Sequence, residues 1–141
     1  MKSVKYFYFF IPFIMLNIFC GRSPEQARKQ IETLGIPFNQ NSFVEKAGAG
    51  ELKTVKLFVE AGININAKAF PEGETEELSA IELAVKKNKK DVVEYLIEKG
   101  ADVANNNALY YAKQMNNNDL IQILEKAGAK IEGSPNFTNG S

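Results

Sequence analysis

The sequence points to an all-α fold, a solenoid of short helix pairs stacked side by side. Three segments, 43–66, 81–104 and 109–132, align with one another without internal gaps. Each has Gly or Asn near its middle (Gly50, Asn88, Asn116) and a glycine twelve residues later (Gly62, Gly100, Gly128). Between these breaks, apolar residues recur at helical spacing. Such self-similarity means an array whose units bury their apolar faces only against one another.

The first twenty residues stand apart from that array. Lys2 and Lys5 precede fourteen uncharged residues, Tyr6 to Phe19, and the chain's one cysteine, Cys20, follows directly. This is the anatomy of an export signal. As a helix the run spans about 21 Å, short of a ~30 Å hydrocarbon core, and Pro12 disfavours an unbroken helix. Residues 16–20, LNIFC, resemble the end of a bacterial lipoprotein signal, although Phe19 and Asn17 stand where that family has a small and an aliphatic residue. The resemblance implies a signal peptide of 1–20, a lipidated Cys20 as the mature N-terminus, and a lipoprotein held on a membrane of the bacterial cell envelope. Several acyl chains on one cysteine hold a protein firmly, whereas a single chain is marginal. The alternative is an ordinary signal in which Cys20 is a small apolar residue, giving a periplasmic or secreted chain. No A-x-A-like site lies near position 20.

Ser23-Pro24-Glu25-Gln26 reads as a helix start, with Ser23 as cap, Pro24 at the first position and Gln26 closing a capping box. The helix runs to Leu34 and makes residues 21–40 an N-terminal half repeat that caps the stack. Arg22, Arg28 and Lys29 lie close behind Cys20 and are expected near the headgroups of an anchored form. In each following pair the first helix is read as the shorter, contributing Phe43 and Ala47, Ile81 and Ala84, Leu109 and Ala112. The second helices contribute Val55, Phe58 and Val59, then Val92, Val93, Leu96 and Ile97, then Leu120, Ile121 and Leu124. Gly50, Asn88 and Asn116 suit the left-handed residue of a tight helix–helix turn. Gln122, Glu125 and Lys126 keep the last helix polar outside, and 133–141 (GSPNFTNGS) reads as a disordered tail.

These units resemble ankyrin repeats, a turn plus two helices of ~33 residues ending in a G-A-D-V-N-like stretch. Gly100-Ala101-Asp102-Val103, Gly62-Ile63-Asn64-Ile65-Asn66 and Gly128-Ala129 carry the resemblance, and Gly35-Ile36-Pro37-Phe38-Asn39 imitates it in the half repeat. It implies an ankyrin-repeat solenoid of one half repeat plus three repeats, over 41–132. The end glycines are 38 and then 28 residues apart. One inter-repeat connection is therefore lengthened and the next shortened. The family's T-P-L-H stretch survives only as Ser79-Ala80-Ile81-Glu82, Asn41-Ser42-Phe43-Val44 and Asn107-Ala108-Leu109-Tyr110, so its hydroxyl–imidazole network is expected to be missing. Lys46 and Lys113 stand where the family prefers Ala, which predicts modest stability.

Composition narrows the function. Seventeen basic residues balance seventeen acidic ones, and losing Lys2 and Lys5 with the signal would leave an excess of two acidic groups. That balance gives no footprint for nucleic acid, so no nucleic-acid partner is expected. Histidine is absent and one cysteine makes neither a disulfide nor a thiolate cage, so no metal, cofactor or catalytic residue is expected. Asn64-x-Asn66-x-Lys68 is not a calcium loop, because Ala69 replaces the required Gly and Thr75 the terminal Glu. The chain is read as a non-enzyme.

Candidate contact residues remain. The long connection 68–78 (KAFPEGETEEL) reads as a projecting finger carrying Phe70 with Glu72, Glu74, Glu76 and Glu77. An aromatic anchor with an acidic rim fits a partner presenting basic groups around an apolar pocket; the plain alternative is a tolerated, solvated insertion. Lys86 and Lys87, in the run Lys86-Lys87-Asn88-Lys89-Lys90, read either as a contact for anionic lipid or an acidic partner, or as a solubilising turn. Of Tyr110 and Tyr111, Tyr110 is expected to be the exposed one. The resulting expectation is a monomeric, non-catalytic module binding an unidentified protein on the face formed by fingers and first helices. An inhibitor or immunity-type protein covering an enzyme, and an envelope spacer without a ligand, are the alternatives.

Overall fold

A computed structural model describes residues 21–130. The signal segment with Cys20 and the tail 133–141 lie outside the described residues. Helix α1 (Pro24–Thr33) opens the chain, and Ser23 and Gln26 form the expected reciprocal capping box. Three helix pairs follow: α2 (Gln40–Ala49) with α3 (Leu52–Glu60), α4 (Ala80–Lys86) with α5 (Lys90–Glu98), and α6 (Ala108–Gln114) with α7 (Asn118–Lys126). The turns inside the pairs are closed by Gly50, Asn88 and Asn116 at φ 77°, 55° and 53°. Asn tolerates this left-handed conformation better than other side-chain-bearing residues, which is why it can replace Gly there.

The helices form two layers. An inner layer stacks α2 on α4 and α4 on α6, and an outer layer places α1 on α3 and α3 on α5. Ala47, Gly48, Ala84 and Ala112 are buried in the inner layer and let its helices approach closely. At Gly48 an added Cβ would lie 2.6 Å from the Leu83 side chain, so a larger residue at this crossing would have to displace that leucine. The outer helices bury Val55, Phe58, Val92, Val93, Leu96, Leu120 and Leu124 on one continuous core.

The half repeat is tied in by aromatic packing. Phe38 stacks on Phe58 at 5.5 Å, Phe58 meets Phe43 at 5.7 Å, and the Arg28 guanidinium lies 4.3 Å from the centre of Phe38. Arg22 pairs with Glu60 at 3.0 Å. Of the three basic residues expected near headgroups, two are thus engaged with the chain itself.

One detail differs from expectation. Helix α2 has ten residues against nine in α3, so its pair does not have the shorter helix first. The Asn39 side chain accepts the Ser42 backbone N–H at 2.9 Å and caps the helix at Gln40. The intruding lysines find partners, Lys46 on Glu51 at 2.8 Å and Lys113 on Glu125 at 3.3 Å.

Candidate functional site

The two connections between repeats set the inner face. In the long one, β1 (Lys68–Ala69) pairs antiparallel with β2 (Leu78–Ser79), in register Lys68 to Ser79 and Ala69 to Leu78. The short one, 101–107, has no strand. At the base of the long connection Ser79 caps α4, and its capping partner Glu82 is fully buried. One Glu82 oxygen accepts from the Ser79 N–H and hydroxyl, both at 2.8 Å. The other accepts the Asn107 N–H at 2.9 Å and lies 3.6 Å from the Lys68 ammonium. A buried carboxylate is tolerable only when its lone pairs are used in this way. In the second repeat the network expected to be missing is therefore rebuilt with a carboxylate at the place of the imidazole, joining one connection to the next.

Beyond the hairpin of β1 and β2, the tip of the long connection is tied back to the helices through Glu74 and Glu76. Glu74 accepts from Lys86 Nζ at 2.6 Å and lies 3.3 Å from Lys87 Nζ. Glu76 accepts the Tyr111 hydroxyl of α6 at 2.8 Å and lies 3.5 Å from Lys86 Nζ, which is itself 5.0 Å from the Tyr111 ring centre. Only 11% of the Glu74 side chain is exposed, and Pro71 is buried.

Electrostatics follow this geometry. The hydrogen bond from Lys86 holds the Glu74 carboxyl below its usual range, and the same bond pushes the Lys86 ammonium up. Burial, then the hydrogen bond to Glu76, pushes the Tyr111 phenol well above its usual range.

The sequence candidates are thus divided. Lys86 and Lys87 both pair with Glu74, and Lys86 also with the half-exposed Glu76. Phe70 is 59% exposed, Tyr110 37% exposed with its hydroxyl accepting from Gln114 Nε2 at 2.6 Å, and Glu72 and Glu77 are exposed and unpaired among the described residues. Glu82 and Tyr111 carry more of the local architecture than sequence reading gave them. The S-x-x-E capping pattern at 79–82 is the signal that marks Glu82. On the outer face, a shallow groove of about 450 Å³ between α3 and α5 is lined by Lys56, Val59, Glu60, Tyr95, Glu98 and Lys99. The two lysines already lie over the Tyr95 ring, so the groove presents no unpartnered aromatic. Among the described residues, no group of three or more His, Cys, Asp or Glu is placed to hold a metal ion, and no helix is long and apolar enough to cross a membrane.

The family model for ankyrin repeats, in three copies, matches residues 43–134. The chain belongs to the ankyrin-repeat family. A further match is to the phosphocholine transferase AnkX of Legionella pneumophila subsp. pneumophila, 29% identical over 131 residues. That alignment covers 82% of this chain and only 13% of the relative's length. Ankyrin repeats are a protein-interaction architecture, and the half repeat, paired helices and inter-repeat connections described above are its parts.

Proposed function

We propose that this ankyrin-repeat chain is a non-catalytic binding module, exported and lipid-anchored through Cys20, that captures a protein on its inner face. The observation that carries the binding reading is Phe70. A large aromatic side chain stands exposed on a connection fixed at both sides, by the β1–β2 pair and by the contacts of Glu74 and Glu76. An aromatic anchor held in place loses little conformational freedom on binding. Glu72 and Glu77 favour basic groups on the partner around it. Tyr110, left open by the short connection, extends the surface along α6. Phosphocholine transfer is no part of this reading, because the chain spans so little of that relative.

The anchor rests on the run from Lys2 to Cys20. Intact mass and detergent-phase partitioning of the protein from its own cells test it beside a Cys20→Ala variant. Added acyl mass on a chain starting at Cys20, lost in the variant, is expected; a water-partitioning, unacylated chain would remove the anchor from the reading. The binding surface is tested by replacing Phe70, Glu72 and Glu77 together with Gly or Ser. Capture of the partner should fall at least tenfold with the helical circular dichroism unchanged. Undiminished capture would show that the partner sits elsewhere.

A further inference from the structure

Every residue of α4 from Ala80 to Val85 is buried, whereas α2 exposes Asn41, Glu45 and Ala49, and α6 exposes Tyr110, Lys113 and Gln114. The middle inner helix is therefore closed off where its neighbours are open. It is flanked by α2, α5 and α6, and the tip of the long connection reaches across to its last residue, Lys86, but that tip is weakly built. Its strands are two residues each, and Gly73 sits at φ 82°. Within residues 70–77 one backbone hydrogen bond is formed, from the Glu74 N–H to the Pro71 carbonyl at 3.2 Å. The tip is fastened by side chains instead: Glu74 on Lys86 and Lys87, and Glu76 on Tyr111 and Lys86.

We propose that residues 70–77 are a latched strap, fastened by Glu74 and Glu76 to Lys86, Lys87 and Tyr111, which opens when that latch is broken. A few partly exposed polar contacts hold a segment with almost no ladder of its own, so the segment opens far more easily than the helices beneath it. The consequence for binding rests on the function proposed above: the closed latch holds Phe70 in place as the anchor, so release of the strap should weaken capture. The groups facing Glu74 are Lys86 and Lys87 from α4, with Glu76 beside it on the strap; Glu76 in turn faces Tyr111 from α6. Neutralising the carboxylates or screening the pairs with salt should release the strap, because opposite charges hold it.

The opening is measurable without any partner, so it stands or falls separately from the binding reading. Nitroxide labels on Thr75→Cys and Gln114→Cys, in the full chain carrying Cys20→Ser, report the distance from strap to α6 by pulsed electron resonance. One narrow distance is expected at neutral pH and low salt. Adding Lys86→Gln with Tyr111→Phe should at least double the width of the distribution and move its centre outward. Glu74→Gln with Glu76→Gln should do the same, and it alters only the strap, so it remains decisive if the first pair disturbs the stack. A distribution that is broad before any substitution, or one that stays narrow in a folded latch variant, would overturn the proposal.

Discussion

The connection from the first repeat to the second and the connection from the second to the third leave equivalent places in the solenoid and reach different ends. The long one spans a 38-residue interval between end glycines and lays its tip on α4 and α6 through Glu74 and Glu76. The short one spans 28 and turns largely on its own side chains. Asp102 accepts from the Ala104 and Asn105 N–H groups at 2.9 and 3.1 Å and from the Asn105 side chain, and its own N–H is held by Asn66 at 2.8 Å. The Asn106 side chain also donates to the Asp102 carbonyl. Ten residues of length thus decide whether a connection can reach back over an inner helix. Where it can, its tip is fastened to Lys86, Lys87 and Tyr111; where it cannot, α6 keeps Tyr110, Lys113 and Gln114 in solvent.

The largest expected effect comes from the residue that both connections share. Glu82→Ala removes the acceptor of Ser79 and Asn107 from a fully buried position. Unpartnered buried N–H groups and a cavity should cost about 2–4 kcal/mol, read as a fall in the urea midpoint with an unchanged slope. Glu82→Gln keeps one acceptor and should lose about half as much. A change below ~0.5 kcal/mol for Glu82→Ala would mean that the two connections are held independently.

Tyr111→Phe acts mainly on the long connection, whose Glu76 accepts the hydroxyl, although the Asn107 side chain beside that hydroxyl belongs to the short one. A loss of about 1 kcal/mol is expected in the same measurement, with faster amide exchange near residues 74–76 and a smaller change at 101–107. An equal increase in both regions would break the distinction.

Acid should likewise act on the long connection first. Glu74 is held below its usual range in the folded chain, so the stability it contributes is fully present above the unfolded carboxyl value. It is lost as the pH falls through the lower, folded value. Stability should therefore drop more steeply from about pH 5 to pH 3 in the native chain than in Glu74→Gln, as urea midpoints at several pH values would show. Parallel curves would remove Glu74 from the account. The smallest effect is expected for Asp102→Ala, whose carboxylate is exposed. Amide exchange should quicken at Ala104 and Asn105 while the urea midpoint hardly moves, and a clear midpoint loss would mean that the short connection matters as much as the long one.

Much of this architecture was legible because its causes are local. The Ser23 capping box, the left-handed Asn88 and Asn116, and the apolar stripes of α3, α5 and α7 each depend on residues within a turn or two of one another. The exposure of Phe70 and Tyr110 could also be read, one from a turn-rich loop and the other from a shortened one. The fold-back of the long connection could not. Glu74 meets Lys86 across 12 positions and Glu76 meets Tyr111 across 35, and neither distance is set until α4 and α6 are stacked. The run from Lys86 to Lys90 looks like a free basic surface in sequence, yet Lys86 and Lys87 are already occupied. Glu82 was half visible: its capping pattern is local, while its burial and its bond to Asn107 belong to the next repeat.

By itself the sequence determined that this chain is an array of helix pairs, where the first helix starts and the pairs turn, and which faces are apolar, because short-range sterics and periodicity fix those features one unit at a time. The tertiary structure alone decided which charges are paired between repeats and where the long connection is fastened, because an ion pair between repeats exists only after the stacking of helices has brought its two ends within a few ångströms.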